Sequence, residues 1–268
     1  MLRWGAIIVV AGCSFEHGQL APGNGASDGS VDDVADGSRS TDGAIDGPPI
    51  PTCGVSDPSL VWCLEFDEAN LASAPKAIDG SGKNHHPSIA NIAVTTRTVP
   101  AASQAITLTA SSSITIPKPS DFNVQEFTLT AWIKREAATE IGVIDTAFQY
   151  TLSIEGANHT VQCAIASTSG TAVEYLGVSA TALDEWDLIA CTYDGAQACT
   201  YSYRNGSPNV QMGCLNRNSS TATNGSTSSA GEWTDGTRHF IGSLDQVRIY
   251  NRALTWQQIC QAGGLSGC

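Results

Sequence analysis

The chain has 268 residues, with 13 lysines and arginines against 26 aspartates and glutamates, a net charge of -13 and nine cysteines. A polyanion such as nucleic acid would meet a repulsive field, and no stretch holds the roughly 18 to 20 apolar residues that cross a bilayer as a helix. Nucleic-acid binding and an integral channel or transporter that crosses by helices are therefore excluded. Charged residues make up only 15% of the chain while Ser, Thr, Gly and Asn abound, the chemistry of an extracellular β-protein. Such a protein with an odd number of cysteines needs a separate fate for one of them.

In chain order, Met1 to Arg3 supply a positive start, Trp4 to Ala11 an apolar segment, and Val10-Ala-Gly-Cys13 a small-residue site ending in cysteine. This is the layout of a secretory signal. The tetrapeptide resembles the lipobox of bacterial lipoproteins, which implies that Cys13 is lipidated and becomes the first residue after cleavage. An ordinary short signal peptide with a chance cysteine is the alternative. Lipidation would leave eight cysteines, a number that can pair completely. Ser14 after the cysteine resembles the outer-membrane sorting pattern, which implies an exported protein anchored to that membrane on its periplasmic or outward side.

Ser14 to Thr52 is a run of Gly, Ser, Asp, Ala and Pro with seven acidic residues, one Arg and one aromatic residue. It cannot bury enough apolar surface to offset its ordering entropy. The expectation is a flexible acidic tether of 39 residues, spanning about 35 Å as a random coil. Its four Asp-Gly pairs lack the spacing and terminal Glu of an EF-hand loop.

From Cys53 to Cys268 the pattern becomes short alternating or β-branched segments between Gly, Asn, Asp and Ser clusters. Strands are predicted over 60–66, 105–108, 113–116, 127–134, 150–154, 160–166, 172–178, 187–193, 200–204 and 244–250. So many short strands predict an all-β fold, an antiparallel β-sandwich or jelly roll. Within 127–134, Phe127, Leu129, Ala131 and Ile133 share one face and Thr128, Thr130, Trp132 and Lys134 the other, so one face is expected to pack and the other to be partly wet. The stretch from Asn216 to Ala230 reads as a loop. The one predicted helix is short and C-terminal, over Trp256 to Ala262, capped by Thr255 and stopped by Gly263-Gly264.

Four segments carry a family resemblance: Phe127-Thr-Leu-Thr-Ala-Trp-Ile-Lys134, Trp186-Asp-Leu-Ile-Ala-Cys-Thr-Tyr-Asp-Gly195, Tyr203-Arg-Asn-Gly206 and Phe240-Ile-Gly-Ser-Leu-Asp-Gln-Val-Arg-Ile-Tyr-Asn-Arg-Ala-Leu254. Together they resemble the laminin-G-like jelly roll of the concanavalin A-like lectin/glucanase group. Ala77-Ile-Asp-Gly-Ser-Gly-Lys-Asn84 is similar to the early Asp-x-Ser-Gly loop of that family. The resemblance implies a structural Ca²⁺ held by Asp79, the Asn84 region and Asp245, hard oxygen donors that suit this ion. The competing reading has Asp79 capping a turn and Asp245 pairing with an arginine such as Arg248.

Cys53 with Cys63 and Cys260 with Cys268 would each close a small loop. In a hairpin turning at Gly195-Ala196, residue 192 faces 199, so Cys191 and Cys199 lie on opposite faces. The preferred pairs are therefore Cys163–Cys191, across neighbouring strands, and Cys199–Cys214.

The glucanase branch needs alternating carboxylates on one strand face. In Glu65-Phe-Asp67-Glu68 the last Glu follows the Asp directly and points away from Glu65. No catalytic residue is assigned. Trp132, Tyr150, Tyr175 and Tyr203 could present rings to sugars, or could be ordinary sandwich packing. The leading expectation is a non-catalytic module on a lipid anchor that binds a glycan or a surface protein. A polysaccharide-degrading enzyme and a structural envelope protein without ligand are the alternatives.

Overall fold

The computed structural model describes residues 53, 57–73, 76–147, 149–156, 158–166, 172–216, 221 and 225–268, with the backbone alone for Ala172–Ala180. The chain divides into two units, Met1–Ala44 and Ile45–Cys268. The expected signal segment, Cys13 and the tether all lie outside the described residues. Among the described residues no helix is long and apolar enough to cross a membrane.

The described part is a two-sheet antiparallel sandwich. In chain order its strands are β1 (Leu60–Leu64), β2 (Ser88–Ala90), β3 (Ala93–Arg97), β4 (Ser103–Leu108), β5 (Ser113–Pro117), β6 (Phe127–Arg135), β7 (Ile141–Thr146), β8 (Tyr150–Ile154), β9 (Thr160–Ala166), β10 (Ala172–Ala180), β11 (Trp186–Tyr193), β12 (Gln197–Arg204), β13 (Val210–Asn216), β14 (Thr227–Ala230) and β15 (Gly242–Tyr250). A single α-helix, α1 (Trp256–Ala262), follows. One sheet has eight strands in the order β13-β12-β11-β6-β15-β4-β3, with β1 also paired to β15. The other has seven, in the order β10-β9-β8-β7-β14-β5-β2.

The alternation in β6 builds the core. Phe127, Leu129, Ala131 and Ile133 join Ile189 and Tyr193 of β11 and Ile144, Leu152, Ile154, Val161 and Ile165 of the seven-stranded sheet in one buried cluster. The opposite face of β6 is not wet, contrary to the expectation. Trp132 is fully buried in a second cluster with Leu188, Ala190, Tyr203, Tyr250, Leu254 and Ile259. The cause is α1, which covers that face. Thr255 caps it in a reciprocal box with Gln258, and its last carbonyls are taken by the sheet: Trp132 Nε1 donates to Gly263 O at 3.2 Å, and Arg248 Nη1 donates to Ala262 O. Gly263 is in an ordinary helical conformation, yet a Cβ there would meet Leu188 Cδ2 at 2.3 Å. Its lack of a side chain lets the helix end seat on the sheet, while Gly264 takes the positive φ of 75°.

The sequence-predicted strands and helix all occur, with small shifts at their ends. β2, β3, β7, β13 and β14 were not predicted. The last of these corrects the loop assigned to 216–230. Thr227–Ala230 pairs with β5 on one side and β7 on the other, and Ser228 and Ser229 are wholly buried, so neighbouring backbones make a strand of residues with no apolar alternation.

Four disulfides join Cys53 to Cys63, Cys163 to Cys191, Cys199 to Cys214 and Cys260 to Cys268. The hairpin register places Thr192 opposite Cys199 and Cys191 opposite Thr200. Cys199 then lies directly across from Cys214 on β13. Cys191 faces the core and meets Cys163 of β9, so this bridge links the two sheets and not neighbouring strands of one sheet. Four disulfides are the bonding of an exported protein.

Candidate ligand-binding site

The residues expected to hold Ca²⁺ have other partners. Asp79 Oδ1 accepts from the backbone N–H of Cys63 and of Ser81, each at 3.0 Å. Its Oδ2 accepts from the Ser81 hydroxyl at 2.8 Å and the His85 N–H at 2.9 Å. Four donors use the acceptor sites of a carboxylate, so Asp79 caps its loop. Asn84 sits at φ 61° on the surface. Asp245 has no exposed surface. Its Oδ2 accepts from Arg97 Nε at 2.7 Å and its Oδ1 from the Gln246 N–H at 2.7 Å. A guanidinium thus takes the position of a cation, and this donor set does not fit calcium. The arginine is Arg97 and not Arg248, whose Nη2 binds Glu65 Oε1 at 2.6 Å. Cys53, Cys63 and Glu65 also lie within 4.8 Å of one another, but both sulfurs are spent in a disulfide.

Burial pushes Asp245 up to about 6 against the pull of Arg97, and burial pushes Asp187 up to about 6 as well, against the backbone donors of Asn205 and Ala182. Both shifts are upward from 3.8, so the folded state binds the proton more tightly than the unfolded chain does. Stability from these groups is fully present below the unfolded value and is lost as pH rises through about 6. Asp57 and Asp235 shift the other way: burial raises Asp57, but hydrogen bonds from Ser59 together with Arg252 outweigh it, and Thr237 holds Asp235 down, so these groups weaken the fold only below about pH 4. The thermal midpoint should therefore rise by several degrees between pH 7.5 and pH 5. That slope should shrink in Asp187→Asn; a flat wild-type profile in calorimetry would remove both assignments.

The expected sugar-facing aromatics are packed away. Trp132 is 0% exposed, Tyr150 1% and Tyr203 0%. Tyr150 stacks on Phe127 at 4.5 Å and donates to Phe122 O at 2.9 Å. Tyr203 donates to Trp256 O. A buried ring with a satisfied polar tip is sandwich packing, so these three are corrected to core residues. The Tyr175 side chain lies outside what is described. The carboxylates of the first strand also separate: Glu65 binds Arg248 and Gln246, Asp67 accepts from the Gln104 N–H at 3.1 Å, and Glu68 accepts from the Ile78 N–H at 2.6 Å. They form no facing pair.

A different aromatic is only partly covered. Trp233 is half-buried in the turn between β14 and β15, and several contacts pin that turn to the seven-stranded sheet. Ser229 Oγ donates to Glu232 O at 2.7 Å. Asp145 Oδ2 accepts from the Thr234 N–H and hydroxyl at 2.8 and 2.7 Å, and the Gly142 N–H donates to Arg238 O at 2.9 Å. The indole lies against the bare backbone of β7, where a Cβ on Gly142 would come within 2.4 Å of Trp233 Cδ1. The Arg238 guanidinium rests 4.0 Å from the ring centroid, with Nε 3.4 Å from Glu140 Oε1 and both side chains about two-fifths exposed. Beside them Glu232 is raised by burial, with His239 Nδ1 3.4 Å away. A rigid turn thus carries an indole with the Arg238 guanidinium stacked over its ring and the Glu140 carboxylate alongside, a mixed apolar and charged surface that a polar ring can pack against. The sequence signal was available: Trp233 lies between Gly231 and Gly236, where strand packing does not account for an aromatic.

A family model described as concanavalin A-like lectin/glucanases superfamily, of laminin G type, matches residues 108–260. No curated protein matches the sequence. Among solved structures, the binding domain of Paraclostridial Mosquitocidal Protein 1 superposes with a TM-score of 0.55 at 19% identity, covering 75% of this chain and 51% of that one. Domain 4 of AbnA, an extracellular arabinanase from Geobacillus stearothermophilus, in complex with arabinotriose, gives 0.53 at 19% identity over 76% and 98%. The receptor-binding domain of botulinum neurotoxin C/D mosaic serotype gives 0.54 at 12% over 77% and 51%. The chain thus spans about half the length of the two toxin domains, and at these identities the likeness is one of fold.

Proposed function

The chain belongs to the concanavalin A-like lectin/glucanases superfamily, and from that premise we propose that it is an exported, non-catalytic glycan-binding module whose sugar packs against the stacked Trp233 and Arg238 side chains. The carrying observation is the indole held in a rigid turn with the Arg238 guanidinium stacked over its ring and paired to Glu140. The fold cannot assign the role by itself, because unrelated activities share it. The reading of binding over hydrolysis is supported by Glu65, Asp67 and Glu68 each being engaged with the protein's own groups, and by the carboxylates beside Trp233 being paired as well, Glu140 with Arg238 and Glu232 with His239. The AbnA domain was solved with arabinotriose, which makes neutral pentose and hexose oligosaccharides the first ligands to try. In the same reading Cys13 carries the lipid and the acidic tether holds the sandwich off the outer membrane.

The test is a glycan array probed with the full chain. Binding to at least one oligosaccharide is expected, weakened about tenfold or more by Trp233→Ala with little change in thermal midpoint. Arg238→Ala, which leaves the buried parts of the turn untouched, should weaken the same ligand less. An array without binding, or equal binding by the Trp233 variant, overturns the reading.

A further inference from the structure

The outer side of the seven-stranded sheet continues the Trp233 surface. The turn that carries the indole leaves β14, which flanks β7, and lays Trp233 over Gly142 of β7. On the far side of Gly142 from β14, Ser153 of β8 lies directly opposite it, and Gln162 of β9 lies directly opposite Ser153. Directly paired residues share a face. Here it is the outer one, because Leu152, Ile154, Val161 and Cys163, their neighbours in sequence, belong to the core. Neighbouring strands run about 4.8 Å apart, which puts Gln162 roughly 10 Å from Gly142 along this row. Residues on an outer face meet water unless something covers them, yet Ser153 is 2% exposed and Gln162 5%. Ser153 Oγ donates to Gln162 Oε1 at 3.4 Å. The Nε2 end of that amide has no partner among the described residues, and it is not one of the polar atoms sealed from solvent. In the next row the polar groups are engaged, Asp145 accepting from the Thr151 hydroxyl at 2.6 Å on Oδ1 and from Thr234 on Oδ2. A largely buried amide with an unused donor is costly to the fold unless a ligand completes it.

We propose, resting on the glycan-binding role of Trp233, that Gln162 orients the bound sugar by hydrogen bonding and that the site takes uncharged oligosaccharides and rejects acidic ones. A ring packed against the Trp233 and Arg238 stack brings its hydroxyls over Ser153 toward Gln162, whose Nε2 donates to a hydroxyl oxygen. A stacked surface alone fixes the plane of a ring and not its orientation; a placed polar group supplies that. The cations beside the row are already taken, Arg238 by Glu140 and His239 by Glu232. Glu140, Glu232 and Asp145 leave the surroundings of the row negative, so a uronate would meet repulsion without a partner in return.

The test is titration of the full chain with arabinotriose, xylotriose, cellotriose and trigalacturonate, followed by calorimetry and by NMR of the Trp233 indole N–H and the Gln162 side-chain amide. At least one neutral trisaccharide should bind and shift both signals, and trigalacturonate should bind at least about fivefold more weakly. Gln162→Met keeps the volume and removes the amide. It should weaken the neutral sugar about three- to tenfold and leave the thermal midpoint unchanged or higher, because it deletes an incompletely paired buried group. A residue serving the fold alone would lower the midpoint and leave affinity in place. No binding of any neutral trisaccharide, trigalacturonate bound as tightly as the neutral sugar, a ligand that shifts the indole but not the amide, or affinity that Gln162→Met leaves intact overturns the proposal. The last two outcomes leave the role of Trp233 standing. A neutral sugar bound equally well by Trp233→Ala overturns that role and this proposal together.

Discussion

Trp132→Ala should lower the thermal midpoint by about 10 °C or more. Truncating a large buried aromatic costs about 3–5 kcal/mol, and a domain of this size loses roughly 2–4 °C for each kcal/mol. Two further losses act in the same direction: the hydrogen bond from Nε1 to Gly263 O, which seats the end of α1, and the contact with the Arg97 guanidinium 4.8 Å from the ring centroid. Calorimetry distinguishes this from a sugar-binding role for Trp132. A midpoint within about 2 °C of wild type, combined with lost glycan binding, would return the residue to the ligand site.

Arg97→Met should destabilise by about 3–5 kcal/mol, the cost of leaving a buried carboxylate without its partner. Asp245 has no exposed surface, and the Arg97 side chain is 4% exposed, so water cannot take over. The double change Arg97→Met/Asp245→Leu should recover most of the loss, since a buried pair replaced by apolar groups of similar size is often neutral. Denaturant unfolding of the four proteins gives the cycle. Calcium should shift none of their midpoints; a rise in wild type that disappears in Asp245→Ala would make Asp245 a cation ligand after all.

Elements whose own side chains determine their place were legible in the sequence. β6, β8, β9 and β11 carry alternating apolar residues that must face a core, and Thr255, Gln258 and Gly263-Gly264 mark the two ends of α1 by local hydrogen bonding and sterics. β7 and β14 were hidden for the opposite reason. Gly142 and a register shift interrupt the first, the second is Ser-Thr, and both are strands because adjoining backbones need partners. The same division runs through the site. Asp79 and Asp245 are conspicuous in sequence because the fold depends on them, and the structure spends them on loop capping and on Arg97. Alternation in β6 correctly put Trp132 on the face away from the main core. It could not show that the helix beginning at Trp256, far along the chain, would close over that face. The half-buried Trp233 indole lay in a turn, where periodicity carries no information.

β13 closes one end of the eight-stranded sheet and is almost wholly exposed, with Met212 and Leu215 each 46% accessible. An outermost strand is the usual starting point for swapping or fibril growth. Here Cys199–Cys214 staples it to β12 at mid-length. The outer strand cannot peel away to exchange with another copy until that bond is reduced, so tolerance of crowding by its own kind is tied to an oxidising environment.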